Sequence, residues 1–196
     1  EAIKSGYDVA VLDDGYQDYS IKKNLNIICF NQNQLIGNGL VLPAGPLRES
    51  LDSLTNAHII VINGQRDKNF EDKILKVNSD LKIFYSKYKA ENLNEFKDKK
   101  LFALAGIGNP ENFFQLIENN NLILEKKIIF PDHYKFSKRE IQNIIFEADK
   151  SGCEIIMTEK DYFKIKNFNL KNINYLKVSL VIEEQENLLS MIKEII

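Results

Sequence analysis

The sequence predicts an α/β fold in which a mostly parallel sheet is flanked by helices. Short β-branched runs alternate along the chain with longer segments of helical periodicity, which is the pattern of such a sheet. The chain has 196 residues, of which 44% are hydrophobic and 28% are charged, and this composition favours a folded protein over a disordered one. The length suits one large domain or two small ones.

The elements follow from these runs in chain order. The predicted strands are Asp8–Leu12, Asn26–Phe30, His58–Ile62, Lys82–Tyr85, Leu101–Ala105, Leu122–Phe130, Glu154–Thr158 and Tyr175–Val178. The predicted helices are Leu47–Leu54, Phe70–Val77, Pro110–Asn119, Ser137–Ser151, Lys160–Lys166 and Glu184–Ile196.

One polar stretch, Lys87–Lys100, is the best candidate for a boundary between domains. A solvated helix with loops inside a single domain explains its composition nearly as well. We predict a first domain over residues 1–97 and a second over 98–196. The opening residues, Glu1 to Gly6, match the end of a helix that leads into a strand, so we expect the sequence to be a piece of a longer protein.

Three helix starts carry capping signals. Asn109 stands before Pro110, a pair in which asparagine caps the helix and proline takes its first position. Ser137 and Glu140 have the spacing of a capping box. Thr158 precedes a helix that opens with acidic residues, which the helix dipole favours at that end.

Charge and cysteine usage restrict the partners and the compartment. The 26 basic and 28 acidic residues give a net charge of -2, which offers no electrostatic case for nucleic acid as a partner. Cys29 and Cys153 lie in apolar runs, and we expect buried free thiols rather than a disulfide. The longest apolar runs are far shorter than the roughly 20 residues that cross a bilayer.

Two motifs in the first half of the chain carry candidate chemistry. In VAVLDDGYQ, the adjacent acids Asp13 and Asp14 end a predicted strand, where carboxylates can bind Mg²⁺; an ordinary turn is the simpler alternative. In GNGLVLPAGPLRES, rigid glycine and proline backbone leads to Arg48 and Glu49. Arginine can contact phosphate with two bonds, although a surface ion pair on a helix start fits as well.

Three further loops follow strands in the second half of the chain, where open α/β sheets place ligands. AGIGNPENFF lacks the third glycine of a dinucleotide fingerprint, so it is either an anion-binding loop or a tight turn. FPDHYKF holds His133, a candidate general acid or base, although a lone loop histidine is more often inert. IIMTEKDYFK places Lys160 where it could reach a phosphate, although a capped helix start with local ion pairs is the simpler alternative. His58 begins an apolar strand and is given no chemical role.

The order and spelling of these five motifs resemble those of the tetraacyldisaccharide 4'-kinase family, over a span from Asp13 to about Lys164. The resemblance implies a P-loop-NTPase-like α/β core with a second, Rossmann-like α/β lobe. It implies an enzyme of lipid A biosynthesis that transfers the γ-phosphate of ATP to the 4'-hydroxyl of a tetraacyldisaccharide 1-phosphate, with Mg²⁺. It also implies work at the cytoplasmic face of the bacterial inner membrane, with membrane contact through an N-terminal region outside this sequence.

The resemblance also assigns roles to individual residues. Asp13, Asp14 and Glu49 are implied as metal contacts, with Asp14 also catalytic. Arg48 is implied both as a catalytic residue and as a contact of the ATP phosphates. His133 is implied as catalytic, in a pair with an aspartate outside this sequence. The remaining implied contacts of ATP are Gln17 and Lys160.

The sequence departs from the family pattern at several places. Tyr16 stands for the usual phenylalanine, Asp18 adds a negative charge beside the expected metal acids, and Tyr134 replaces a common second histidine. No glycine is followed by lysine, so the Walker A loop that grips ATP phosphates is not in this sequence. We therefore expect this polypeptide to be inactive by itself.

Two other functions stay open from the sequence. A metal-dependent nucleotide-sugar transferase could use Asp13 and Asp14 on a diphosphate. A degenerate or partial paralogue could serve only as a binding module.

Overall fold

The structure is a computed structural model that describes residues 3–195, and it separates into two compact units. The first unit holds the chain up to Lys87 together with the chain from Val181 onward, and the second holds Tyr88–Leu180. The second unit is thus one continuous segment set into the first along the chain. The predicted domain limits, 1–97 and 98–196, stay a prediction.

Eight strands and five α-helices make up the regular structure of the described residues. The strands are β1 (Ile27–Asn31), β2 (Ile59–Asn63), β3 (Lys82–Ala90), β4 (Lys100–Ala105), β5 (Ile123–Ile129), β6 (Glu154–Thr158), β7 (Ile173–Leu176) and β8 (Val178–Ile182). The helices are α1 (Lys68–Leu75), α2 (Pro110–Asn119), α3 (Lys138–Lys150), α4 (Glu159–Ile165) and α5 (Gln185–Ile195).

The first sheet has the strand order β1-β2-β3-β8. Strands β1, β2 and β3 are parallel neighbours, and side chains of β2 alternate between two apolar clusters. Ile60 packs in a cluster with Ile74 of α1, and Ile59 packs in a cluster with Leu188 of α5. Because β2 is covered on both faces, it is a continuous apolar run rather than an alternating one.

The second sheet is parallel throughout, in the order β5-β4-β6-β7. Its central strand β4 shows the same two-sided burial. Ala103 packs in a cluster with Phe114 of α2, and Leu104 packs in a cluster with Ile141 of α3. The predicted class, mostly parallel sheet flanked by helices with a second α/β lobe, is therefore confirmed.

The helix starts agree with the capping signals in two of three cases. Ser137 and Glu140 form both bonds of a capping box, and the Thr158 side chain accepts from the backbone N–H of Asp161. Pro110 does occupy the first turn of α2, but the Asn109 side chain makes no capping bond, so that prediction was wrong. With φ of -133° and ψ of 80°, the Asn109 backbone is outside the extended conformation usual at a cap.

The predicted strand Asp8–Leu12 was wrong. Among residues 3–195, no strand pairs with this segment, and a β-branched run adopts stable strand structure only beside a hydrogen-bonded neighbour. Its apolar side chains are accordingly exposed, up to 91% at Val11.

The predicted strand Tyr175–Val178 was wrong in its bounds, because two strands meet there. The Asn92 side chain donates to the carbonyl of Tyr175 and accepts from the N–H of Lys177. These two bonds satisfy the backbone between β7 and β8 where the ladder is interrupted.

Both cysteines are free, as predicted, but only Cys153 is buried. Cys29 is exposed because it lies on β1, an edge strand of the first sheet. In the described part of the chain, no helix combines the length and the apolar character needed to cross a bilayer.

Candidate functional site

Asp13 and Asp14 form an acidic turn, and the backbone that follows this turn is held by a lysine. Lys23 donates from its ammonium group to the backbone carbonyls of Gly15, Tyr16 and Asp18, at 2.9, 3.1 and 2.5 Å. Gly15 lies against Leu12, where a Cβ would come within 2.6 Å of the leucine Cβ. Lys23 therefore holds the backbone that follows the acidic turn, while Asp13 and Asp14 of the turn itself are exposed.

The glycine- and proline-rich loop 37–47 is braced across its base. The N–H of Leu42 donates to the carbonyl of Leu47, and the N–H of Leu47 donates to the carbonyl of Leu40, at 2.8 and 3.2 Å. The Asn38 amide adds a bond to the carbonyl of Ala44 at 2.8 Å. These bonds hold the backbone on which Arg48 and Glu49 stand.

The same bonds overturn the predicted helix Leu47–Leu54. Leu47 forms a bridge with Val41 and Ser50 is extended, so the backbone around Arg48 is not helical, and only a 3-10 helix at Leu51–Asn56 follows. Arg48 and Glu49 therefore lie on irregular backbone rather than at a helix start.

Arg48 reaches the acidic turn. One guanidinium nitrogen donates to both carboxylate oxygens of Asp14, at 2.8 and 2.7 Å. The side chains are 59% and 65% exposed, and an exposed pair of this kind contributes only about 0–1 kcal/mol. An incoming ligand can therefore separate the pair at little energetic cost.

Glu49 is held by a tyrosine from the segment after the acidic turn. The Tyr19 hydroxyl lies 2.9 and 3.0 Å from the two Glu49 carboxylate oxygens, and this hydrogen bond raises the pKa of Tyr19. Beside them, Gln17 and Glu49 line a cavity of about 110 Å³. Small-molecule pockets are usually about 300 Å³ or more, so this cavity accommodates part of a ligand at most.

Two departures from the family pattern have structural explanations here. The Tyr16 hydroxyl, which phenylalanine lacks, donates to the backbone carbonyl of Ser53, and burial raises the pKa of Tyr16. The Asp18 carboxylate accepts from the hydroxyl and the N–H of Ser20, and these bonds lower the pKa of Asp18. The added charge is thus engaged by Ser20.

In the second unit, three loops follow β4, β5 and β6, which are adjacent and parallel. The carboxyl ends of these strands share one edge of the sheet, which is where α/β folds bind ligands. The loops after β4 and β5 contain Gly106, Asp132 and His133, and Lys160 lies in the first turn of α4, which follows β6 directly; all three predicted segments therefore lie at this edge.

Asp132 is central to this group. One of its carboxylate oxygens accepts from the backbone N–H of His133 at 2.9 Å and lies 3.8 Å from the Lys160 ammonium nitrogen. The other lies 3.8 Å from Nε2 of His133. His133 itself has φ of 58°, which is uncommon outside glycine and is typical of functional or strained positions. Its imidazole is exposed and reachable by a substrate.

Behind this edge, α4 contributes a buried carboxylate. Asp161 is fully buried and accepts from the Gly106 N–H at 2.7 Å and from the Thr158 hydroxyl at 2.8 Å. Lys164 donates to Asp161 at 2.7 Å and to the Gly106 carbonyl at 3.3 Å. Every bond to Asp161 thus comes from a donor, as a buried charge requires.

Tyr134 has a structural role at the position where the family often has a second histidine. Its ring packs on Phe130 and Phe136, with centroids 4.9 and 5.3 Å away. Its hydroxyl donates to Glu140 at 3.0 Å, which raises the pKa of Tyr134.

The predicted site residues therefore form two groups, one in each unit. Asp13, Asp14, Gln17, Arg48 and Glu49 belong to the first unit, and His133 and Lys160 belong to the second. Among residues 3–195, no three His, Cys, Asp or Glu side chains are placed to form a metal site by themselves. His58 accepts from the Asn26 N–H at 3.1 Å, a structural contact.

Three residues with a part in this geometry were missed at the sequence level: Lys23, Tyr19 and Lys164. Asp132 was noted only as the acidic neighbour of His133 in its motif. The contacts of the three missed residues span loops or neighbouring turns, and such contacts depend on tertiary structure.

Comparisons with known proteins agree on one family. The family model for tetraacyldisaccharide-1-P 4'-kinase matches residues 1–196. The tetraacyldisaccharide 4'-kinase of Pelagibacter ubique is 41% identical over 191 residues, covering 96% of this chain and 61% of that protein. The protein of the same name from Francisella tularensis subsp. novicida is 35% identical over 185 residues, covering 88% and 55%.

A solved structure shares the fold. The crystal structure of "apo" form LpxK from Aquifex aeolicus in complex with ATP matches with a TM-score of 0.59 at 22% identity, covering 92% of this chain and 55% of that chain. This chain thus spans between 55% and 61% of the length of the proteins compared here.

Proposed function

This chain belongs to the tetraacyldisaccharide-1-P 4'-kinase family, whose model matches it from end to end, and from this premise we propose that it forms one part of a lipid kinase site. The reaction is transfer of the γ-phosphate of ATP to the 4'-hydroxyl of a tetraacyldisaccharide 1-phosphate, in lipid A biosynthesis. The contact between Arg48 and Asp14 carries the proposal, because it joins a phosphate-binding group to a metal-binding group at one point.

The donor chemistry at the acidic turn fits Mg²⁺. Hard carboxylate oxygens are the ligands that this ion prefers, and in phosphoryl-transfer sites it usually takes one or two of them with phosphate oxygens completing the shell. Asp13 and Asp14 are adjacent and exposed, so they would supply the one or two direct carboxylate ligands, with Glu49 as the outer carboxylate of the same group. We assign Asp13, Asp14 and Glu49 as the residues that hold Mg²⁺, which when bound neutralises charge on the phosphates.

Arg48 is the phosphate contact of the first unit. Its planar guanidinium can make two parallel bonds to a phosphate, which lysine cannot. Its bonds to Asp14 are exposed and weak, so the guanidinium would be able to exchange the carboxylate for phosphate oxygens, and Asp14 would then be available to hold Mg²⁺. Gln17 beside the cavity and Lys160 at the edge of the second sheet are the further proposed contacts of ATP.

His133 is the proposed general base. Its exposed imidazole can accept the proton of the sugar 4'-hydroxyl as the phosphoryl group is transferred. Asp132 lies 3.8 Å from Nε2 and accepts from the backbone N–H of His133, contacts that support its place beside the imidazole. Membrane contact at the cytoplasmic face of the inner membrane belongs to the same proposal, since the substrate is a lipid.

The test uses a protein made from the complete reading frame that contains this sequence. Transfer of labelled phosphate from ATP to the tetraacyldisaccharide 1-phosphate is measured for the wild type and for His133→Ala, Asp14→Ala and Arg48→Ala. We expect each variant to lose at least about 10²-fold in kcat, the usual effect of removing a charge-stabilising or proton-transfer group. His58→Ala is the matched control, because His58 makes a structural contact only. Near-normal turnover in all three variants overturns the assignment.

A further inference from the structure

Side chains of α4 form hydrogen bonds with both the N–H and the carbonyl of Gly106. Its N–H donates to Asp161 and its carbonyl accepts from Lys164, at 2.7 and 3.3 Å. Asp161 and Lys164 are themselves paired at 2.7 Å, and Asp161 is fully buried. We call this arrangement of Asp161, Lys164 and the Gly106 peptide the Gly106 clamp.

The neighbours of Gly106 leave no space for a side chain at this position. A Cβ on Gly106 would meet Oδ1 of Asp161 at 3.3 Å and the ring of Phe136 at 3.3 Å. Both distances are tighter than ordinary van der Waals contact, so the glycine backbone is fitted closely against α4 and the aromatic ring. Lys164 also lies 5.7 Å from the centroid of the Phe136 ring, which adds a cation–π contact to the same wall.

The clamped loop in turn supports the residue that holds His133. Two residues beyond Gly106, a Cβ on Gly108 would lie 3.3 Å from a carboxylate oxygen of Asp132. Asp132 holds the backbone N–H of His133 and lies 3.8 Å from its imidazole. The loop that α4 holds at Gly106 therefore passes Asp132 at Gly108 without space for a methyl group, and Lys160 of α4 lies 3.8 Å from the same carboxylate.

We propose that Asp161 and Lys164 are positioning residues, which act through the Gly106–Gly108 loop and Asp132 to hold His133 in its catalytic orientation. This inference rests on the proposed function of His133. Neither residue is assigned contact with substrate, since Asp161 is fully buried and the Lys164 ammonium is engaged by Asp161 and Gly106. Catalytic rates depend steeply on such placement, because a displacement of about 1 Å can cost roughly 10²-fold.

The experiment compares Lys164→Met with Lys164→Arg and Lys127→Met in the protein made from the complete reading frame. Lys127 is a matched control in the same unit, because it pairs with Glu118 at 2.8 Å and lies 5.5 Å from the centroid of the Phe114 ring. We expect Lys164→Met to lower kcat per folded molecule roughly 10- to 100-fold, with the KM for ATP changed less than about twofold. Lys164→Arg should recover most of the loss, because arginine can still donate to a carboxylate and to a carbonyl. Lys127→Met should behave as wild type.

A second measurement reports on the loop itself. Amide hydrogen exchange at residues 106–109 and 132–134 should speed up in Lys164→Met and stay unchanged in Lys127→Met, since exchange reports local opening. If Lys164→Met does not fold, Gly106→Ala takes its place, because it displaces the loop while keeping both charges.

The outcomes separate the two proposals. If kcat per folded molecule is unchanged in Lys164→Met, or in Gly106→Ala where that variant is used, the positioning role is overturned. If His133→Ala keeps normal turnover, the proposed function itself fails, whatever the Lys164 variants do. A fall in stability with kcat per folded molecule intact assigns Lys164 a purely structural role and also overturns the inference.

Discussion

Arg48 donates from a single guanidinium nitrogen to both carboxylate oxygens of Asp14, at 2.8 and 2.7 Å. Different contacts hold the backbone beside each residue. Lys23 bonds to the backbone that follows Asp14, and hydrogen bonds within loop 37–47 hold the backbone that precedes Arg48. The pair is exposed, so it contributes little to stability. Under the proposed function the pair acts in ligand binding, an effect that can be measured separately from its effect on stability.

Arg48→Lys should lower kcat for phosphate transfer by about 10²-fold or more, because lysine keeps the charge but cannot bind a phosphate with two parallel bonds. The free energy of unfolding should change by less than about 1 kcal/mol, as for other exposed ion pairs. Steady-state kinetics and denaturant unfolding on the same preparation measure both. A large loss of stability with unchanged kcat contradicts the assignment.

Tyr19→Phe should raise the Mg²⁺ concentration that activity requires. The hydroxyl holds both oxygens of Glu49, and removing a group that orients a metal ligand typically costs 10- to 100-fold in metal affinity, here roughly the lower value because the site is exposed. The measurement is the Mg²⁺ concentration that gives half-maximal rate. Tyr7→Phe, at another exposed tyrosine, is the control and should not move it.

Gly45→Ala should destabilise the first unit and reduce activity together. A Cβ at this position would overlap the Asn38 side chain and the carbonyl of Leu40, and the resulting displacement of packed groups costs about 1–3 kcal/mol. Because the loop delivers Arg48, kcat should fall as well. Thermal unfolding and kinetics test this, with Ala44→Gly at the exposed neighbour as the control. Unchanged kinetics in Gly45→Ala show that the loop does not set the position of Arg48.

The stability of the first unit should decrease at high pH through Tyr85. Burial, with the hydrogen bond to Glu71, raises the pKa of Tyr85 to about 12, above the value of about 10 in an unfolded chain. The stabilisation is fully present below pH 10, because the hydroxyl is protonated in both states. Between about pH 10 and 12 the unfolded state loses its proton first, so the free energy of unfolding falls as pH rises.

The size of this effect can be measured by difference. Between pH 9 and pH 11 the wild type should lose roughly 1 kcal/mol relative to Tyr85→Phe, in line with about 1.4 kcal/mol for each unit of pKa difference. Denaturant unfolding of both proteins at the two pH values gives the number. Equal pH dependence in the two proteins shows that the pKa of Tyr85 is not raised.

Buried strands were the most predictable part of the fold. β2 and β6 are apolar on both faces, and their composition alone separates them from the helices. The segment Asp8–Leu12 has the same composition but no partner among the residues described. Strand formation depends on such a neighbour, and composition within a segment carries no information about it.

The site residues stay a prediction, and their local geometry was not predictable from the sequence. Arg48, Glu49 and the two acids were proposed from their motifs, yet the helix expected at Leu47–Leu54 is absent. The reason is a bridge between Val41 and Leu47, a contact across a loop that helical propensity does not register. The bonds from Lys23 and Tyr19 were unpredictable for the same reason, since each depends on how separate loops meet.

The two thiols differ in exposure, so a spectroscopic probe can be attached selectively to one of them. Cys29 is exposed at an edge strand while Cys153 is buried, so a maleimide probe should label the native chain at one position without any substitution. Partial screening of the Cys29 sulfur raises the pKa of its thiol, and labelling will therefore be faster in mildly alkaline buffer. The neighbours of Cys29, Ile28 and Phe30, line the cavity that Gln17 and Glu49 share. Because side chains alternate along a strand, Cys29 lies on the opposite face of the sheet from that cavity, beside Val61, so a fluorophore there would label the α5 face without filling the cavity.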